Sequence, residues 1–89
     1  MVKVRVTYIG SLADVLGLHT EVIEISSDNA VITVGELIKF LCLTRPSFKT
    51  FMGSVPLLHV FIDDKEASAS DTLKEGDKVT LMPPLYEGG

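Results

Sequence analysis

The residues best suited to chemistry in this sequence are the last two of the stretch Pro83-Pro84-Leu85-Tyr86-Glu87-Gly88-Gly89. Gly88 and Gly89 carry no side chains, so they present a thin backbone and, on Gly89, an α-carboxylate that fits a slot too narrow for other residues. The reactive group is then that α-carboxylate. Pro83 and Pro84 lack N–H groups, cannot prolong a sheet ladder and favour a semi-rigid extended exit. Fully extended, seven residues span roughly 23–25 Å, enough to reach into the interior of a partner enzyme. The chain is therefore expected to divide into a folded body, 1–82, and a flexible tail, 83–89. A Gly-Gly pair alone is a weak signal, and its context has to decide.

Conventional catalytic constellations are missing. His19 and His59 stand apart from any Cys or carboxylate at metal-ligand spacing, and no Gly-rich phosphate loop is present, so no bound metal or cofactor is expected. Cys42, the single cysteine, follows Leu41 in a helical run and reads as a small hydrophobe. Asp63 and Asp64 read as turn formers. With 46% apolar and 22% charged residues in 89, the chain should fold as one domain. A net charge of −4, with eight Lys and Arg scattered along the sequence, disfavours nucleic acid and anionic membranes as partners. The opening Met-Val-Lys-Val-Arg-Val alternates instead of forming an apolar leader, and no apolar run approaches membrane-spanning length, so a cytoplasmic protein is expected.

The elements that must hold the tail follow from periodicity. Val2, Val4, Val6 and Tyr8 alternate with Lys3, Arg5 and Thr7, which predicts a strand with one wet face. Ser11 as N-cap, Leu12, Val15 and Leu16 at helical spacing and Gly17 as stop predict a short helix. Thr20 to Ser26 alternates again and should pair antiparallel with the first strand. Thr33-Val34-Gly35-Glu36 has the form of a capping box, and Val34, Leu37, Ile38 and Leu41 make the stripe of the main helix. Ile32 and Leu37 are placed for a hydrophobic staple. Pro46 ends that helix or closely follows its end, and Phe48, Phe51 and Met52 predict a short irregular turn before Gly53. Leu57 to Ile62 reads as a strand, Asp63-Asp64 as a turn and Lys65 to Ser68 as a polar edge segment. Ser70 to Gly76 reads as a turn carrying Leu73, and Asp77 to Met82 as the last strand. The order ββαββ predicts an α+β fold: a mixed sheet of four to five strands with one main helix across one face. The first and last strands should lie side by side in the middle.

With Leu58, Val60 and Ile62 turned to the helix, Leu57, His59 and Phe61 face outward beside Lys3, Arg5, Thr7, Thr80 and Met82. A half-apolar face at the base of a projecting tail is a candidate docking surface. The candidate partner-binding residues are Leu57, His59, Phe61, Met82, Pro83, Pro84, Leu85 and Tyr86.

Taken together, these residues resemble the MoaD/ThiS sulfur-carrier family of β-grasp, ubiquitin-like proteins that end in Gly-Gly, most closely its molybdopterin synthase small-subunit branch. The resemblance rests on the Val-Lys-Val opening, the Leu16-Gly17 helix end, Thr-Val-Gly-Glu-Leu at 33–37, Leu73 with Glu75-Gly76-Asp77-Lys78-Val79, and Pro83-Pro84 with Gly88-Gly89. It implies that an E1-like adenylyltransferase of the MoeB type uses ATP to activate Gly89, and that sulfur transfer gives a Gly89 thiocarboxylate. A large synthase subunit of the MoaE type then takes the tail and uses the sulfur to build the dithiolene of molybdopterin, the carrier being its non-catalytic partner. A ubiquitin-like modifier joined through Gly89 to target lysines begins with the same adenylate and is the alternative; a thiazole-forming carrier is a lesser one. An interaction module with an incidental Gly-Gly is the third class of reading. One departure stands out. Three residues separate Pro84 from Gly88 where the family commonly has two, a difference of about 3.3 Å in extension.

Overall fold

Alternation builds the centre of the molecule. In the computed structural model, in which residues 1–54 and 58–84 are described, strand β1 (Val2–Tyr8) turns Val2, Val4, Val6 and Tyr8 into the core and leaves Lys3 and Arg5 in solvent. Strand β2 (Thr20–Ile25) pairs antiparallel along one side of β1, with Val4 opposite Ile23. Strand β7 (Lys78–Met82) lies along the other side, parallel to β1, with Val6 opposite Val79 and Tyr8 opposite Leu81. Strands β4 (His59–Ile62) and β5 (Lys65–Ala67) complete a five-stranded sheet in the order β2-β1-β7-β4-β5. The expected α+β class, the mixed sheet and the central pairing of first and last strands are all present. Parallel neighbours require a long crossover, and the helices supply it.

Helix α2 (Val34–Thr44) begins as its sequence predicts. Thr33 Oγ1 accepts from the Glu36 N–H at 3.0 Å, and Glu36 Oε1 accepts from the Thr33 N–H at 2.8 Å. Val34, Leu37 and Leu41 are buried, Ile38 is half-buried against the same core, and Ile32 before the cap is also buried. Cys42 is half-buried at the core margin, whereas Leu43 is 75% exposed.

Three expectations need correction. Helix α1 spans Ser11–Leu16, but its N-cap is Gly10 at φ 63, with no side-chain cap; Ser11 is already helical, and Val15 is 47% exposed. Gly17 does end it, in the left-handed conformation at φ 75, its N–H reaching the Ala13 carbonyl at 2.8 Å. The region after Pro46 is no irregular turn but a nine-residue helix, α3 (Pro46–Ser54), with Phe48 and Phe51 buried. Proline suits the first helical position because its fixed φ fits the helix and its missing N–H is not required there. It also pushes Arg45 out of the helical region, to φ −130 and ψ 100, which separates α2 from α3. The segment around Leu73 is likewise a strand, β6 (Thr72–Lys74). It pairs antiparallel with β3 (Val31–Thr33) in a second, two-stranded sheet, Ile32 opposite Leu73. Strands of three residues are too short for alternation to distinguish from a turn.

The junction of the helices is tied to the sheet by charge. Glu21 on β2 faces inward and accepts from Arg45 Nε at 2.9 Å, from Arg45 Nη2 at 2.6 Å and from the Tyr8 hydroxyl at 2.5 Å. Burial alone would raise the Glu21 pKa, but the hydrogen bonds from Arg45 and Tyr8, with the Arg45 charge, outweigh it and hold the carboxyl below its ordinary range. Burial first, and then the Glu21 carboxylate, keeps the Tyr8 phenol neutral well above its usual range.

Two outcomes are expected. Thr33→Ala removes a side-chain acceptor at the start of α2 and should lower stability by about 1 kcal/mol in urea unfolding, with no change of fold by circular dichroism. Glu21 is ionised in both folded and unfolded chains well above pH 4.5. As the pH falls past 4.5 toward the depressed folded value, the unfolded chain takes up the proton first, so this contribution drains away. Glu21→Gln should therefore cost about 1–3 kcal/mol at neutral pH and flatten the acid limb of the stability curve; an acid limb parallel to that of the native sequence would show that Glu21 is not its source.

Candidate functional site

Strand β7 leads the chain to the tail. Val79 and Leu81 point into the core, so Lys78, Thr80 and Met82 share the opposite face. The strand is held on both sides: β1 pairs with it through Tyr8 opposite Leu81, and the Ile9 N–H extends the contact to the Leu81 carbonyl at 3.1 Å. On the other side β4 sets His59 opposite Met82 and Phe61 opposite Thr80. Pro83 is buried and Pro84 half-buried, so the packed surface reaches at least to Pro84. Leu85, Tyr86, Glu87, Gly88 and Gly89, and also Leu57, lie outside the described residues.

Of the partner-binding candidates, His59, Phe61 and Met82 are thus brought together on the outer face, each half-buried. The sequence left His59 without a carboxylate neighbour. The fold supplies one: β5 turns back on β4 across Asp63-Asp64, Phe61 falls opposite Glu66, and Glu66 Oε2 lies 2.8 Å from His59 Nδ1. The signal was available in the two-residue turn. With Ile62 opposite Lys65, counting back puts Glu66 beside Phe61 and diagonal to His59. Asp63 takes the left-handed conformation at φ 56, which Asp tolerates in such a turn.

The face is graded along the strands. Near the exit it is apolar, with Phe61 and Met82 beside the His59–Glu66 pair; toward the start of β7 it is basic, with Arg5 opposite Lys78. Val22, 50% exposed opposite Arg5, extends the apolar surface onto β2 and was not foreseen. Among the described residues no cluster of His, Cys, Asp and Glu is arranged to hold a metal ion. No described helix is long and apolar enough to cross a membrane. What this arrangement offers is a rigid, two-sided anchor for a strand, with a mixed apolar and polar contact surface at its end.

No curated protein sequence matches the chain. Solved structures match its fold over nearly the whole length. Small archaeal modifier protein 1 (SAMP1) from Haloferax volcanii superposes with a TM-score of 0.80 at 21% identity, covering 97% of this chain and 99% of that one. A putative molybdopterin converting factor subunit 1 from Pyrococcus furiosus gives a TM-score of 0.77 at 24% identity, covering 96% of this chain and 100% of that one. A protein–protein complex of subunits 1 and 2 of molybdopterin-converting factor from Helicobacter pylori 26695 contributes a match with a TM-score of 0.64 at 21% identity, over 97% of this chain and 99% of that one. These likenesses establish the ubiquitin-like β-grasp fold. The sequence itself fits the model of the ThiS family over residues 6–88, a span that runs from within β1 through every later described strand and helix to the approach to Gly89, and the chain belongs to that family.

Proposed function

We propose that this protein is a sulfur carrier whose Gly89 carboxylate is adenylated by an E1-like enzyme, converted to a thiocarboxylate and used to build the dithiolene of molybdopterin. The observation that carries the reading is that the family match runs through residue 88, so the tail belongs to what the family shares. In the first step a carboxylate oxygen of Gly89 attacks the α-phosphorus of ATP and pyrophosphate leaves. In the second a hydrosulfide-level sulfur attacks the acyl carbon and AMP leaves. Neither step draws on a side chain of this chain.

The protein's own part is delivery. β7 holds the root of the tail, Pro83 and Pro84 set its direction, and Phe61, Met82 and His59 give the partner a surface to dock against, with Leu57, Leu85 and Tyr86 as proposed further contacts. Gly88 then keeps the approach to Gly89 thin. The same tail has to enter a second active site, that of a large synthase subunit. The Helicobacter pylori structure, a complex of subunits 1 and 2, supports that assignment. ATP-dependent activation suits a cytoplasmic protein.

A second reading is favoured by one observation, the fit to small archaeal modifier protein 1. In it, the same acyl-adenylate leads to an amide with a lysine of a target protein. The two diverge only after activation, in whether sulfur or an amine takes the acyl group.

Incubating the untagged chain with ATP, an E1-like enzyme and sulfide should raise its intact mass by about 16 Da, oxygen replaced by sulfur, and deleting Gly89 should abolish the gain. The same spectrum checks that Gly89 is the last residue. Mass additions equal to a target protein, appearing as larger bands in cell extract, would favour the modifier. An unchanged mass with several such enzymes, each active on a control carrier, would refute both.

A further inference from the structure

The cations of the outer face are not spread evenly. The chain holds 8 Lys and Arg against 12 Asp and Glu, yet Lys3, Arg5 and Lys78 converge on one cleft of ≈ 250 Å3, whose lining is completed by Val4, Val22 and Gly76. Arg5 on β1 and Lys78 on β7 are register partners and both are exposed. Like charges in register on adjacent strands repel, so this pair does nothing for the fold.

Among the described residues, nearby acids do not neutralise it. Glu24 is 3.6 Å from Lys3, Glu75 accepts from the Lys3 backbone N–H at 2.9 Å, and Asp77 is buried and held by Lys74. Asp63 donates its backbone N–H to the Lys78 carbonyl, but its side chain forms no ion pair with a described residue. Among the described residues, Arg5 and Lys78 form none either. An acid from outside is what the pair lacks. A phosphate polymer is a poor fit, because the whole molecule carries −4 and would repel it beyond these few cations. A short acidic segment of a protein meets the cleft without that cost. The cleft also continues the docking face: Lys78 and Met82 lie on one face of β7, four residues and about 13 Å apart.

We propose that Arg5 and Lys78 are a second anchor for the activating enzyme, receiving carboxylates of an acidic segment that it displays about 13 Å from its contact with Met82. This rests on the activation reading above. The anchor acts mainly on encounter, since charge complementarity speeds association more than it slows release.

Association of the full chain with the E1-like enzyme found by the mass assay, followed by stopped flow, tests it. Arg5→Glu/Lys78→Glu should slow association about tenfold at low salt, with the difference vanishing at high salt, and Arg5→Gln/Lys78→Gln should give an intermediate loss. Both pairs are exposed, and unchanged circular dichroism and unfolding midpoints check that they fold. Equal association rates at low salt would overturn the proposal. If no enzyme activates the native sequence, the activation reading falls separately, and a hexaglutamate titration followed by amide chemical shifts decides. Shifts centred on Lys3, Arg5, Val22 and Lys78 that disappear in the Gln pair sustain an acid-binding cleft, and shifts elsewhere or none reject it.

Discussion

The parallel pairing of β1 with β7 is the constraint on which the rest of the structure depends. Two parallel neighbours cannot be joined by a tight turn, so the chain leaves β1 and returns only after β2, three helices and the β4-β5 hairpin have been laid down. That path gives the last strand ladders on both sides, and it fills the inner face with Leu37, Leu41 and Phe48 against Val4, Val6 and Leu81. A tail leaving an edge strand would have a root held on one side only. Here the root has a strand paired on each side, and Pro83 is still buried beyond it.

The sheet divides its labour by face. Inward alternation makes the core, and at its margin the Tyr8–Glu21–Arg45 network ties the α2-α3 junction to β2. Outward alternation leaves residues whose packing duty is slight: Phe61, Met82 and the His59–Glu66 pair near the exit, and Arg5 and Lys78 at the far end. Stability is thus carried by the inward residues, and the proposed recognition falls to the outward residues of the same strands.

How much of this was legible in the sequence depended on the length of the signal. β1 alternates for seven residues, and α2 has both a capping box and a stripe, so their type, position and burial followed directly. α3 is not evident although Phe48, Phe51 and Met52 stand at helical spacing, because a proline at or just past the end of one helix is equally the first residue of another. β3 and β6 were illegible for another reason. Each has three residues, and only their pairing with one another across a long stretch of sequence, Ile32 with Leu73, makes them strands. On the outer face, the side to which His59, Phe61 and Met82 point followed from alternation. Glu66 beside His59 required the register of the hairpin, and the exposure of Val22 required knowing that β2 is an edge.

In this account the chain is chemically passive, and that is where it is most exposed to test. Its side chains supply position and contact, while the reaction belongs to a terminal carboxylate and to enzymes that act on it. ATP–pyrophosphate exchange catalysed by an E1-like enzyme reports the first step alone, before sulfur or lysine enters. The account predicts that the native chain stimulates exchange, that a chain lacking Gly89 does not, and that the rate at saturation is untouched by His59→Ala. Exchange that persists without Gly89, or none with an enzyme that activates a control carrier, would contradict it.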